Sequence, residues 1–258
     1  MSDTRMTERE ELRFLAAVDL ARGKPISEGF NVYNEGLIHK AVKLYIEPDT
    51  ERHEVHLPHA VADILADGTV YEVQTGSPIP LIPKIRALLD EYKVTLVLPF
   101  RALTHHVWLD PDNGEATVPK RINARPKPLH TVARSLYAVR ELIAHPGFSV
   151  RILPLAVDEV RLLDGYGKDR RRRATLTSRT PTRLLDDVEL LSPCDYKIFI
   201  PDTLGDEFTA PEFLRQIGSR SRYDRIALSL LTYLGLIERM GKRGNAYIYR
   251  RTCGTEIS

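Results

Sequence analysis

Apolar residues recur at helical spacing in two stretches near the start of the chain. Over residues 7 to about 22 the members are Leu12, Leu15, Ala16, Val18 and Leu20, and over NEGLIHKAVKLYIE they are Leu37, Ile38, Ala41, Val42 and Tyr45. Pro48 must end the second helix, because the residue before a proline is pushed out of the helical region. Glu35, His39 and Lys43 lie four apart on a neighbouring face of that helix. The period then drops to two. HEVHLPH (53–59) predicts a strand, and VADILADGTVYEV predicts a β-hairpin closed at Asp67-Gly68, since a two-residue type I′ turn needs φ > 0 at both central positions. With that turn Ala66 pairs with Thr69, and Asp63 falls opposite Glu72. Side chains alternate across a strand, so Asp63, Leu65, Val70, Glu72 and Gln74 share one face, and Ala62, Ile64, Tyr71 and Val73 the other.

Further along, KIRALLDEY (84–92) predicts a short helix after Pro78, Pro80 and Pro83. The continuous apolar run VTLVLPF (94–100) predicts a strand covered on both faces. HHVWLD leads into a turn at DPDNG with a strand partner near ATV. Residues 129–147 predict a helix stopped by Pro146, and 149–164 a strand. Residues 166–183 carry Lys168, Arg170, Arg171, Arg172, Arg173, Arg179 and Arg183 against the single acid Asp169, and predict an exposed basic loop. DYKIFIP (195–201) resumes strand character. There are no internal repeats.

The last segment has its own pattern. FTAPEFLRQIG predicts a helix capped by Thr209, with Glu212 completing a capping box. A longer helix follows, with Ile226, Leu228, Leu230, Leu231, Tyr233 and Leu234 apolar, and Gly235 ends it. GLIERMGKRGNAYIYRR then predicts a two-stranded ribbon with a basic tip at Lys242-Arg243. The phrase YLGLIERMGKRGNAYIY resembles the helix-end-and-wing pattern of a winged helix-turn-helix domain. That resemblance implies DNA binding through Arg220, Arg222 and Arg225 at the start of the second helix and through Lys242 and Arg243 on the wing. Packing or homodimerisation is the alternative use of such a module.

Composition narrows the field. The chain has 258 residues, 43% of them hydrophobic, with a formal net charge of +2, which excludes a strongly basic polymer binder. Cys194 and Cys253 form no metal-ligand spacing and no disulfide framework, which fits a reducing compartment. The N-terminus is too charged for a signal peptide, and no apolar run approaches the ~20 residues of a membrane span. A cytoplasmic protein with no membrane partner is expected. P-loop, GxGxxG, GxSxG and HExxH motifs are absent. His105-His106 has no partner at metal-ligand spacing and reads as strand surface.

Two facing carboxylates in an apolar hairpin call for a counter-charge, because like charges directly opposed across strands are destabilising. A hard divalent cation supplies one; so does a neighbouring Arg or Lys on a wet polar face. The order helix, strand, Asp63, Glu72-Val73-Gln74, helix, buried strand resembles the PD-(D/E)XK, or restriction-endonuclease-like, nuclease superfamily over roughly residues 30–110. The resemblance implies an α/β (α+β) fold, a mixed sheet flanked by helices, in residues 1–200, with a core at 30–165, followed by the winged helix at 206–251. It places Asp63 on the metal-binding aspartate and Glu72 on the acid of the motif strand, as ligands of Mg²⁺ or Mn²⁺. Gln74 stands where the family has lysine, and Glu35 where several branches place a helical glutamate. Ala62 replaces the motif's proline. Glu54 and His39 are expected beside the metal site. Lys84 or Lys43 must then supply the missing positive charge, with Lys84 preferred because it opens the helix after the motif strand.

Such a site hydrolyses a phosphodiester by neutralising its charge and activating a water. The expected activity is therefore that of a metal-dependent DNA endonuclease. The alternatives are a DNA-binding regulator carrying an inactive nuclease fold, and a protein-interaction module without nucleic acid.

Overall fold

The computed structural model describes residues 7–23, 33–117, 126–166, 173–218 and 222–252, without the side chains of 33–35, 222 and 223. The elements in order are α1 (Glu8–Gly23), α2 (Tyr33–Ile46), β1 (His53–His56), β2 (Val61–Ala66), β3 (Thr69–Val73), α3 (Ile82–Leu88), β4 (Lys93–Leu109), β5 (Ala116–Thr117), α4 (Ala133–Ala138), β6 (Phe148–Leu162), β7 (Thr175–Leu184), β8 (Val188–Leu190), β9 (Glu207–Thr209), α5 (Ala210–Gln216), α6 (Ile226–Tyr233), β10 (Ile237–Arg243) and β11 (Ala246–Arg251). Together they make a mixed α/β protein with a large mixed sheet flanked by helices and a second, small sheet. The large sheet runs β1-β2-β3-β4-β6-β7, with β5 beside β4 and β8 beside β6. No helix among the described residues is long and apolar enough to cross a membrane.

The chain folds as two compact units that interleave along the sequence. The first takes Met1–Thr75, Val97–Lys127 and Ile152–Val188; the second takes Gly76–Leu96, Pro128–Arg151 and Glu189–Ser258.

In the first unit, α1 and α2 bury an apolar face against Val73, Val97, Leu153, Leu155, Val157 and Leu184. The buried face of α1 is Phe14, Ala17, Val18 and Ala21, spaced i, i+3, i+4, i+7, while Leu12 and Leu20 are exposed at 61% and 57%. This corrects the expected stripe: aliphatic size outweighed phase in the sequence reading, and small alanines at Ala17 and Ala21 are what allow α1 to approach α2. Phe14 meets Tyr45 edge-to-face with centroids 5.6 Å apart, and the Tyr45 hydroxyl donates to Asp187 at 2.8 Å. On α2 the expected stripe holds, with Ile38, Ala41, Val42 and Tyr45 buried and Leu37 packed against them. The hairpin closes as read: Ala66 pairs with Thr69 and Ile64 with Tyr71, and Asp67 and Gly68 take φ of 50° and 74°.

Residues 175–184 are a strand rather than part of an exposed basic loop. β7 pairs antiparallel with β6, Arg179 opposite Glu159. The run TLTSRTPTRL is rich in threonine and alternates, a strand signal that its arginines obscured. The stretch 167–172 lies outside the described residues.

In the second unit, DYKIFIP is a 3-10 turn over Pro193–Phe199 opened by a Ser192–Asp195 capping box, not a strand. The long helix expected at 129–147 is likewise a 3-10 turn, Leu129–Val132, running into the short α4. At the C-terminus, α5 begins at Thr209 with its capping box to Glu212, and α6 ends before Gly235, at φ 68°. β10 and β11 form the ribbon, with Arg243 opposite Ala246, and β9 adds a third strand in the order β10-β11-β9.

Candidate functional site

The site is built where β2 and β3 stop pairing as backbone. The register ends at Ile64–Tyr71, and its continuation by one step sets Asp63 against Glu72. There the side chains take over the bonding. The Asp63 N–H donates to Glu72 Oε1 at 3.4 Å, and the Val73 N–H donates to Asp63 Oδ2 at 2.8 Å. The Glu72 residue is 1% exposed, whereas the Asp63 side chain is 19% exposed. The neighbouring Gln74 is half-buried at the end of β3, its N–H donating to the carbonyl of Val97 on β4 at 2.9 Å.

Helix α2 brings two further groups, one turn apart. His39 Nε2 lies 3.3 Å from Asp63 Oδ2. Lys43, only 5% exposed, pairs through Nζ with Glu54 Oε1 on β1. Glu54 sits at φ 51° within a strand, a left-handed conformation that costs a side-chain-bearing residue about 1–3 kcal/mol and tends to persist at functional sites. That positive φ is invisible in the sequence. His39, Lys43, Glu54, His53 and Thr75 line a cleft of about 510 Å³.

The electrostatics follow from this arrangement. Burial pushes the Asp63 carboxyl up, but the hydrogen bond and charge of His39, the Val73 N–H and the Lys43 ammonium outweigh it and hold the group below its usual range. Asp63 is therefore ionised at neutral pH. Burial, with Lys43 nearby, lowers the pKa of His53 and keeps its ring neutral, its Nε2 2.8 Å from the Glu47 carbonyl.

The predicted site residues thus divide. Asp63, Glu72, Gln74, His39, Lys43 and Glu54 all lie in the first unit, and His39, Lys43, Glu54 and Asp63 are in direct contact as pairs. Lys84 lies on α3, in the second unit. The Glu35 side chain lies outside the described residues. Among the described residues no three His, Cys, Asp or Glu side chains converge as a ligand set. Asp63 and Glu72 have the donor chemistry of an Mg²⁺ site, since that ion is held by one or two carboxylates plus substrate phosphate and waters, but neither lines the cleft.

On the C-terminal segment, Arg225 is exposed at the start of α6, and Lys242 and Arg243 are exposed at the ribbon tip. Lys242 and Arg239 both lie over the Tyr247 ring, 4.9 and 4.6 Å from its centroid. Arg220 and the Arg222 side chain lie outside the described residues.

The sequence reading missed one cluster. His105 and His106 are more than strand surface: His105 Nδ1 lies 3.1 Å from Asp158 and His106 Nδ1 3.5 Å from Glu159. Glu159 is a buried acid inside an apolar strand, the same signal that drew attention to Asp63 and Glu72, and it was legible at VDEV.

No solved structure matches the chain significantly. An uncharacterized protein of Treponema pallidum (strain Nichols) is 25% identical over 222 residues, covering 86% of this chain and 87% of that one. The family model for the domain of unknown function DUF8091 matches residues 36–191, more than half the chain and a span that holds Asp63, Glu72, Lys43 and Glu159, so this protein belongs to the DUF8091 family.

Proposed function

We propose that the protein is a metal-dependent phosphodiesterase acting on DNA, with the Asp63–Glu72 pair as its metal site and the C-terminal helices and ribbon as a DNA-binding winged helix. The observation that carries the reading is that Asp63 and Glu72 stand on adjacent strands, linked by the Asp63 N–H to Glu72 Oε1, with the charge of buried Lys43 acting on Asp63. Like charges opposed across strands are destabilising, and an ionised Asp63 is able to ligate a cation. Bound there, Mg²⁺ or Mn²⁺ supplies charge neutralisation and an activated water.

The chain's own residues take the remaining tasks. His39 holds Asp63 by a hydrogen bond to Oδ2 and fixes the orientation of its carboxylate. Lys43 replaces the lysine that the motif lacks: it lies in the same unit as the carboxylates, its charge is felt at Asp63, and it lines the cleft. Gln74, which cannot carry charge, orients water. Exposed Arg225, Lys242 and Arg243 are suited to phosphate contact, with α6 and the ribbon presenting them.

A second reading, a DNA-binding regulator with an inactive nuclease fold, is favoured by one specific feature. Asp63 Oδ2 already accepts from His39 and Val73, leaving Oδ1 to ligate a metal unless the histidine moves. A nicking assay on supercoiled DNA with Mg²⁺ or Mn²⁺ separates the two. The nuclease reading expects cleavage by the wild type and none by Asp63→Asn; salt-sensitive DNA binding without cleavage by either selects the regulator.

A further inference from the structure

The cleft beside α2 has a composition of its own. His39 links it to Asp63, which does not line it. Gly36, Lys40 and Lys43 follow one another at helical spacing, which puts them along one face of α2. Buried Ala21 and Leu44 add apolar surface, and Glu54 of β1 is the one acid among the described residues that line the cleft. At about 510 Å³ it falls within the roughly 300–1,000 Å³ of small-molecule sites.

Glu54 marks the kind of group the cleft receives. The pairs His53–Ile64 and Val55–Ala62 set its place in β1 directly across from Asp63. An extended Glu54 would stand against a like charge there. Its backbone takes φ 51° instead, and its carboxylate pairs with the Lys43 ammonium. That ammonium, on a side chain 7% exposed, needs an anion. The glutamate that serves is strained in its backbone and 64% exposed, so it can leave Lys43 for water without becoming a buried charge. A phosphate monoester brings about 1.5–2 negative charges near neutral pH and three acceptor oxygens, a stronger partner than one carboxylate. Lys40 lines the same cleft and is placed to meet its second charge.

Gly36 supplies an independent observation. A glycine inside a helix costs stability relative to alanine. Packing does not ask for it, because a Cβ there would meet nothing within 4 Å among the described residues. The room this leaves borders the cleft, one helical turn of about 5.4 Å from Lys40. A phosphate on the lysines therefore has space beside it for a sugar and a base.

We infer that the cleft binds a nucleoside 5′-phosphate, with its phosphate on Lys40 and Lys43 in place of Glu54 and its sugar and base against Gly36, Ala21 and Leu44. A free mononucleotide and the phosphorylated 5′ end of a DNA strand share this chemistry. The site goes beyond the proposed phosphodiesterase and does not depend on a metal at Asp63 and Glu72.

The test is isothermal titration calorimetry of the full chain with thymidine 5′-monophosphate, in EDTA so that no metal contributes, with thymidine and inorganic phosphate titrated alongside. The monophosphate should bind the wild type at least about tenfold more tightly than thymidine does, and Lys40→Gln should weaken it about tenfold, the worth of one hydrogen bond to a charged group. Glu54→Gln should tighten it, because no carboxylate then competes for Lys43. Gly36→Leu should abolish binding while raising Tm, since leucine is the better helix former and fills the cleft. Circular dichroism melts check the fold, and Lys40→Gln and Gly36→Leu decide the matter if Glu54→Gln does not fold. Thymidine that binds as tightly as its monophosphate overturns the inference, as does a folded Glu54→Gln with unchanged or weaker affinity. So does inorganic phosphate that binds as tightly as the monophosphate and is indifferent to Gly36→Leu, which makes this a small-anion site. A short 5′-phosphorylated oligonucleotide that outbinds its 5′-hydroxyl counterpart, with the preference lost in Lys40→Gln, assigns the ligand to a strand end; equal binding of the two, with the monophosphate still bound, assigns it to the free nucleotide. A wild type that never nicks DNA yet shows these dependences leaves the cleft standing and removes the nuclease, whereas nicking without nucleotide binding removes this site alone.

Discussion

Lys43→Met separates stability from chemistry at one position. The lysine side chain is 7% exposed, while that of its partner Glu54 is 64% exposed. Removing one member of a buried ion pair costs about 3–5 kcal/mol when the survivor stays buried, but Glu54 returns to water once released. Methionine keeps an unbranched stem of similar volume and brings no charge to desolvate, and apolar replacements of buried ion pairs are often neutral or stabilising by about 1–4 kcal/mol. The variant should therefore be as stable as the wild type within about 1 kcal/mol, or more stable. Chemistry should respond in the opposite sense. The loss of one charge partner of the transition state costs about 10²–10³ in rate, and Asp63, deprived of one of the charges that hold it down, should titrate higher. Urea melts followed by circular dichroism give the first quantity, and single-turnover nicking with Mn²⁺ the second. A variant that loses about 3–5 kcal/mol yet cleaves at the wild-type rate refutes the reasoning: Lys43 is then a structural cation, and Lys84 becomes the residue to test.

Two other expectations concern the scaffold. Phe14→Ala should cost about 3–5 kcal/mol because it empties the α1–α2 core, whereas Leu12→Ser on the same helix should stay within about 0.5 kcal/mol; equal losses in urea melts would contradict the observed face of α1. Burial pushes the Glu159 carboxyl up, but Arg179 and Arg161 outweigh it and hold its folded pKa below the unfolded value. Its contribution to stability is then complete above about pH 4.3 and is lost as pH falls through the folded value, so the wild-type Tm should drop more steeply than that of Glu159→Gln as the solution is acidified. Parallel Tm curves would mean that the arginines do not stabilise the ionised form.

What could be read from the sequence was local. Asp67-Gly68 specifies a turn through its own φ preferences, so the register that sets Asp63 against Glu72 followed from a few consecutive residues. Thr209 and Glu212, three apart, fixed the start of α5 in the same way. The phase of α1 was harder, because Ala17 and Ala21 are buried for their smallness, and smallness matters only against a partner helix. The pairs Lys43–Glu54, His39–Asp63 and Arg101–Glu159 form between elements far apart in sequence, and nothing local to either member announces the other. Arg179 was hidden by its neighbours: a run of arginines suggested solvent, while the pairing of β7 with β6 carries its side chain to a buried acid. The residues that carry the resemblance to a nuclease motif, Asp63 and Glu72, lie on the adjacent strands β2 and β3, while Lys43 on α2 pairs with Glu54 on β1.

Asp63 and Glu72 are proposed to hold a divalent ion, and anomalous scattering from crystals soaked in MnCl₂ tests this without intermediate steps. A manganese peak between the two carboxylates is expected in the wild type, with its loss in Asp63→Asn. Well-ordered carboxylates with no peak between them at saturating Mn²⁺, or a peak that survives Asp63→Asn unchanged, would contradict it.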